Sequence, residues 1–251
     1  MRSMVPAFSS IVQQYAHQFH PVVLFDPASD LLTTLDFTAG NITLTAAIIE
    51  DTTKFCNYIN RQLQDAKTTF AATGISFGIG GYAEHRTVYS RSRVFDAPLP
   101  GEEPRRLHLG TDIWGPAGTP VFAFMDSTVH SVAHNDRYGD YGATIILQHH
   151  LPGLTFCTLY GHLSVRDIQH LEDGQPIKQG APLAHFGEPH ENGHWPPHLH
   201  FQVIVDMQHY RGDYPGVCKF SEKEKYLHNS PDPDVILRLN RYIKNNHLNY
   251  F

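Results

Sequence analysis

The sequence predicts a mainly β protein: a barrel- or sandwich-like antiparallel β domain over residues 101–210, a helix-containing mixed α/β extension over 1–100, and a C-terminal extension with a short helix over 211–251. Three observations predict it. From Leu107 to Val205 the chain breaks into short apolar or alternating runs separated by turn residues. A glycine turn recurs just before such runs, in Gly118-Thr119-Pro120-Val121, Gly174-Gln175-Pro176-Ile177 and Gly180-Ala181-Pro182-Leu183, as in small all-β barrels and sandwiches. Residues 1–75 show the apolar spacing of helices instead.

The elements follow in order. Ser9–His20 reads as a helix, and so does Ile48–Ala66, with Ile49, Phe55, Cys56, Ile59 and Leu63 at helical spacing. Asp36–Leu44 between them is a short strand or an extended link. Gly74–Tyr89, with Gly-Ile-Gly-Gly at 78–81, is a turn leading into a strand. Arg91–Arg106 contains Pro98, Pro100 and Pro104 and reads as a linker. Pro120–Phe124 and Thr128–Ala133 form a tight hairpin about Met125-Asp126-Ser127. Ala143–His149 and Leu154–Tyr160 form a second about Leu151-Pro152-Gly153. Leu183–Phe186 and His198–Val205 complete the β set, and a helix over Asp234–Asn245 follows Pro231 and Pro233.

Composition narrows the function classes. With 19 basic and 25 acidic residues the formal charge is −6, and no basic stretch is present to neutralise phosphates, so nucleic acid is not an expected partner. No run of 18 apolar residues occurs, so no membrane span is expected. Cys56, Cys157 and Cys218 are scattered and odd in number, which fits neither a disulfide framework nor a cysteine zinc site; they read as buried thiols. No secretory leader is visible near Met1, so the sequence points to the cytoplasm or to a leader already removed. The anomaly is histidine, with 18 against 19 lysines and arginines together.

Many of these histidines fall between His108 and His200, in three motifs. His108-Leu109-Gly110-Thr111-Asp112 spaces a histidine and a carboxylate four apart, with Gly110 and Gly115-Pro116 arguing against a helix. Leu159-Tyr160-Gly161-His162-Leu163-Ser164 places one histidine at the end of a strand. His198-Leu199-His200-Phe201 puts two on one face of a strand, because positions i and i+2 share a face. Zinc takes nitrogen, oxygen or sulfur ligands, and a catalytic site leaves one position for water. His108, Asp112 and His200 offer two nitrogens and a carboxylate, with His162 and His198 left beside them as proton carriers. Taken singly, each motif also has an ordinary structural reading as a surface pair, a loop histidine or a core imidazole.

In their order and flanks, the three motifs resemble the LytM/lysostaphin-type zinc endopeptidases, a family that cuts peptide bridges in bacterial cell walls. The resemblance runs from about Arg106 to Asp206. It takes in Pro116-Ala117-Gly118-Thr119-Pro120-Val121, Tyr138–Tyr141, Thr158 to Ser164, Gly174 to Ile177, and Pro197-His198-Leu199-His200-Phe201. It implies a β domain of the duplicated hybrid motif type, one zinc ion per chain held by His108, Asp112 and His200, and His162 and His198 as catalytic histidines. The implied substrate is a peptide or peptidoglycan, which would place the protein in the periplasm or at the cell surface. In this reading His198 takes the proton of the attacking water, and His162 binds the developing oxyanion or protonates the leaving amine; the two roles are interchangeable. Because the ligands must be deprotonated, metal and activity are expected to be lost below about pH 5–6.

The sequence departs from the family pattern at Pro196, where a glycine is common, and at Trp195 before it. Trp195, His194 and Tyr160 are the candidate substrate contacts, an aromatic at a cleft rim being able to stack on a ligand. Two other classes compete. A metal-binding but non-catalytic module on the same scaffold would not need His162 and His198. A lipoyl-type carrier would need a lysine at a hairpin tip, which Met125-Asp126-Ser127 lacks.

Overall fold

A computed structural model describes residues 4–96, 99 and 101–244. The chain begins with α1 (Met4–Tyr15), β1 (Leu31–Leu35), α2 (Ala46–Ile49), α3 (Thr52–Thr69) and β2 (Ser76–Gly80). Next come β3 (Leu107–His108), β4 (Thr111–Trp114), β5 (Pro120–Phe122), β6 (Ser127–Asn135), β7 (Gly142–Leu151) and β8 (Leu154–Leu163). α4 (Val165–Ile168), β9 (Pro176–Ile177), β10 (Pro182–His185) and β11 (His198–Ile204) lead to β12 (Val217–Cys218), α5 (Lys223–Asn229) and α6 (Asp234–Leu237).

The expected mainly β barrel or sandwich is not what forms. The main sheet is open and eight-stranded, in the order β1-β2-β4-β11-β8-β7-β6-β9, and the described residues contain no closed sheet. The fold is mixed α/β. Its cause is in the N-terminal third, which supplies two strands rather than a separate appendage. β1 and β2 pair in parallel, a connection that requires a crossover, and α2 and α3 provide it. β2 then pairs antiparallel with β4, so the strand carrying Asp112 is internal instead of lying at an edge.

Local chemistry explains where the other elements differ from expectation. The Ile48–Ala66 helix is divided because the Asp51 carboxylate caps the N-terminus of α3, accepting from the Lys54 N–H at 3.0 Å. Phe55, Ile59, Leu63 and Ala66 then line its buried face. The strand placed at Asp36–Leu44 lies earlier, at β1, and Asp36–Leu44 is a loop. Part of the expected linker folds: Arg93–Phe95 is a 3-10 turn that buries Phe95, directly after a 3-10 turn at Val88–Arg91 that buries Val88 and Tyr89, while Pro98 and Pro100 lie outside the described residues. The C-terminal helix is one turn long. Arg238 adopts a left-handed conformation (φ 54°), and Asp234 accepts from the N–H groups of Leu239 and Asn240. Asn245 lies outside the described residues.

The central strands are buried on both sides, and alternation divides their residues between two faces. On β11, Leu199, Phe201 and Val203 join a large apolar cluster with Ile113 of β4, Tyr160 of β8, Ile145 of β7, and Phe8 and Val12 of α1. His198, His200 and Gln202 point to the opposite face. That second face is covered by another cluster, in which Phe37, Phe55, Tyr89 and Phe95 of the N-terminal third pack with Trp114 and Trp195. Among the described residues no helix is long and apolar enough to cross a membrane.

Candidate active site

The polar face of β4 and β11 brings three side chains together. The pairing of His200 opposite Asp112 sets one side, and β3 delivers His108 from the neighbouring two-stranded ladder with β12. His108 Nε2 lies 3.0 Å from His200 Nδ1 and 3.2 Å from Asp112 Oδ1, and His200 Nδ1 lies 2.9 Å from the same oxygen. All three side chains are buried.

The tautomers follow from the partners on the far side of each ring. His108 Nδ1 donates to the Gly81 carbonyl oxygen at 2.9 Å. His200 Nε2 donates at 3.0 Å to Gln202 Oε1, whose orientation is fixed because its amide nitrogen donates to Pro215 O and Ser230 Oγ. The nitrogens that face each other therefore carry lone pairs, and they face a carboxylate oxygen. Three converging electron pairs repel one another unless a cation sits among them. Ligands about 2.0–2.1 Å from a tetrahedral zinc ion lie roughly 3.3 Å apart, close to the spacing observed, and two imidazoles with one carboxylate are a zinc donor set. His108, Asp112 and His200 form a mononuclear zinc site.

Behind this trio lies a residue that motif reading did not find. Arg86, itself buried, donates from Nη1 to Asp112 Oδ2 at 2.5 Å and from Nε to Glu84 Oε2 at 2.6 Å. Burial would raise the Asp112 carboxyl, but the electrostatic pull of its neighbours, His108 and the permanently charged Arg86, outweighs it and holds the group well below the usual carboxylate range. Burial pushes His108 down to about 4, with Arg86 adding to the effect, so the ring is neutral wherever it is needed as a ligand. The segment from Gly81 to Arg86 thus orients one ligand through a carbonyl and a second through a guanidinium.

His162 and His198 stand beside the trio with ring centroids 4.1 Å apart. His198 Nδ1 donates to Pro196 O at 2.7 Å and His162 Nδ1 to Asn192 O at 2.8 Å, which leaves Nε2 as the basic atom of each. Burial pushes His198 down to about 4, and burial together with His198 lowers His162 well below its usual value. The His198 ring is stacked on Trp114 at 3.8 Å.

His162 reaches this face by breaking the strand. Tyr160 belongs to the core cluster and packs on Phe201 at 5.2 Å, so strict alternation would send His162 to the core as well. Instead the β7–β8 register shifts between Ala143↔Leu163 and Ile145↔Tyr160, which inserts one extra residue in β8. His162 takes φ 62°, and this bulge turns its side chain towards the trio. Gly161 makes the crossing possible, since a Cβ there would lie 2.7 Å from Tyr141 Cδ1.

These groups line a cavity of about 290 Å³. Of the three candidate substrate contacts, Trp195 borders it, and Tyr160 and His194 do not. Trp195 is buried, held by Phe55, Tyr89 and Phe95 and by the Arg91 guanidinium 4.6 Å over its ring. His194 is exposed, with its carbonyl accepting from Thr52 Oγ1 and its ring near Tyr138. Tyr141, which motif reading left without a role, lies 5.2 Å from the His200 ring and 5.7 Å from the His162 ring, centroid to centroid.

The segment carrying these motifs has known relatives. Residues 106–211 match the model of peptidase family M23. Over this segment the chain is similar to that family. A peptidoglycan DD-endopeptidase, ShyC, of Vibrio cholerae is 31% identical over 105 residues, covering 41% of this chain and 22% of the relative. An uncharacterized metalloprotease of Haemophilus influenzae is 35% identical over 101 residues, covering 40% and 19%. The chain thus spans about a fifth of the length of the curated relatives it matches. Among solved structures, the catalytic domain of lysostaphin from Staphylococcus simulans matches with 24% identity and a TM-score of 0.37, covering 57% of this chain and 86% of that one. The M23 segment supplies all three ligands and both extra histidines, whereas Arg86 and Gly81 precede it.

Proposed function

We propose that this chain is a zinc-dependent metalloendopeptidase that hydrolyses peptide bonds in peptidoglycan cross-links or a related peptide. The observation that carries the reading is the convergence of His108 Nε2, Asp112 Oδ1 and His200 Nδ1, each held by a partner on its far side. The substrate class is drawn from the relatives described as peptidoglycan DD-endopeptidases. A zinc ion bound by the trio supplies Lewis-acid activation of water and of the scissile carbonyl.

The chain's own residues do the rest. Neutral His198, its Nδ1–H occupied by Pro196 O, takes the proton of the attacking water on Nε2. His162, its Nδ1–H occupied by Asn192 O, starts neutral with a lone pair on Nε2. There it accepts a proton originating from the attacking water and passes it to the leaving nitrogen, or in that protonated form faces the developing oxyanion. The water's oxygen ends on the carbonyl carbon and its two protons on the products, so the C–N bond breaks without any further reactant. Trp114 fixes the His198 ring by stacking, and Trp195 forms an apolar wall that excludes water.

The test joins metal analysis of the purified protein to digestion of cell-wall peptides by wild type and His200→Ala. Near-stoichiometric zinc that is lost in the variant, together with cleavage abolished, is the expected result. Zinc retained by the wild type with no cleavage of any peptide would instead identify a metal-binding scaffold without catalysis.

A further inference from the structure

Arg91 ends the 3-10 turn at Val88–Arg91 and is buried, with 8% of its surface exposed. Its hydrogen-bond partners are two hydroxyls, not a carboxylate. Nε and Nη2 donate to the Tyr138 hydroxyl at 3.2 and 2.7 Å, and Nη2 also donates to Thr52 Oγ1 at 3.1 Å. Nη1 is buried with no hydrogen-bond partner. The rest of its surroundings are aromatic: the guanidinium carbon lies 4.6 Å from the Trp195 ring centroid, 4.9 Å from that of Tyr138 and 5.5 Å from that of Phe55.

Taking a charge out of water without an opposite charge to meet it is costly, and a residue needed only to fill this space would be apolar. A planar guanidinium does what an apolar side chain cannot. It presents a face to an indole while its edge holds hydroxyls. Both contacts lead to the active-site cavity. Trp195 lines that cavity, and so do Gly139, Asp140 and Tyr141, which follow Tyr138.

The two bordering stretches, 138–141 and 192–195, are joined to each other. The Gly139 N–H donates to Gly193 O at 2.8 Å, and a Cβ at Gly193 would overlap the Asp140 carbonyl oxygen. Both are also joined to the start of α3. Thr52 Oγ1 donates to His194 O at 3.1 Å, and the Tyr138 hydroxyl donates to Glu50 O at 3.3 Å. Arg91 is bonded to both of these hydroxyls and stacked on Trp195, so it stands where the three meet. Arg91 and Thr52 both precede the segment that matches the M23 family model.

We propose that Arg91 is a positioning residue for substrate binding: through Trp195 and Tyr138 it holds the two stretches bordering the cavity in the arrangement that receives the peptide. The inference rests on the peptidase reading above and adds a residue to it.

The full chain, loaded with zinc, is to be compared as wild type, Arg91→Gln and Arg91→Lys on soluble cross-linked cell-wall peptides. Arg91→Gln is expected to raise KM at least fivefold with kcat within twofold and zinc affinity unchanged, the pattern of a lost binding interaction. Arg91→Lys is expected to resemble it, because an ammonium keeps the charge but not the planar fork. A readout independent of turnover is acrylamide quenching of tryptophan emission, the chain having two tryptophans, both buried. The quenching constant is expected to at least double in Arg91→Gln. If that variant does not fold, Thr52→Val removes one hydroxyl of the junction and is expected to raise KM at least twofold.

An unchanged KM in a folded Arg91→Gln overturns the proposal and leaves the peptidase reading intact. So does a raised KM with unchanged quenching, which breaks the route through Trp195, or one that follows only from lost zinc. If Arg91→Gln does not fold, an unchanged KM in Thr52→Val overturns the proposal. No hydrolysis by zinc-loaded wild type removes the peptidase reading and this inference with it.

Discussion

The floor of the site and the wall that braces it follow different rules. The floor comes from β3, β4, β8 and β11, where side chains must meet an ion at fixed distances, so few residue types are possible and their spacing is tied to strand geometry. The wall comes from residues 37–95, where the task is to fill space beside Trp114 and Trp195 and to set one guanidinium against Asp112. Many sequences can fill space. The difference teaches that a metal centre can look complete in its ligands while its support comes from a part of the chain that carries no motif.

Removing the wall is the strongest way to break that comparison. Trimming residues 1–75 takes away β1, α2 and α3 together with buried Phe37, Phe55, Ile59 and Leu63. A domain is stable by only about 5–15 kcal/mol, and burying a single large apolar side chain contributes about 1.5–3 kcal/mol. The trimmed protein is therefore expected to lose its cooperative melting transition and its solubility. A folded fragment with full activity would show that the N-terminal third is dispensable; a fragment with increased activity would identify that third as an occluding segment.

A more local change sharpens the same point. Arg86→Gln keeps the chain intact and removes the cation behind Asp112. Loss of a residue that orients a ligand typically weakens metal binding by about 10–100-fold. That drop is expected in competition with a chelator, with Arg86→Lys intermediate because it restores charge but not the planar fork. Unchanged affinity in Arg86→Gln would make the ion pair a matter of packing alone.

Legibility followed this division. His108, Asp112 and His200 could be found because H-x-x-x-D and H-x-H report which side chains share a space. The barrel could not be corrected from sequence, because nothing in Leu31–Leu35 or Ser76–Gly80 says that these runs join the edge of β4. Tyr160 and His162 are the clearest failure. They are two apart on one strand, so period-two reasoning puts them on one face, and only the bulge at Gly161-His162 separates them. Gln202 was accessible by the same rule that paired His198 with His200. Arg86 had no signal beyond being an arginine near a glycine-rich strand.

A histidine outside the site gives a smaller effect with a definite sign. His149 is fully buried between Phe124 and Phe156, and its Nε2 is paired with Thr158 Oγ1. Burial pushes it down to about 3, whereas in the unfolded chain it titrates near about 6.5. Between these values the unfolded state binds more protons, so stability falls as the pH falls through that window and is unaffected above it. His149→Phe is expected to flatten the decline in denaturation midpoint between pH 7 and pH 4; an equal slope in the variant would exclude His149 as its source.

The smallest expected effect concerns Tyr160. Its hydroxyl is buried without a hydrogen-bond partner and faces the core. Tyr160→Phe should leave kcat/KM within about twofold of wild type and the melting temperature no lower, since the lost hydroxyl satisfies nothing. A tenfold fall in kcat/KM would return Tyr160 to the substrate site.

The bulge that carries His162 also sets a conflict between selection pressures. A left-handed backbone at a residue other than glycine costs of order 1–3 kcal/mol, and His162 holds it at φ 62°. Repeated rounds of selection for thermal tolerance alone would favour glycine or asparagine at this position and would discard the imidazole. Directed evolution of a hardier enzyme therefore has to score turnover in every round, because heat resistance by itself rewards the loss of His162.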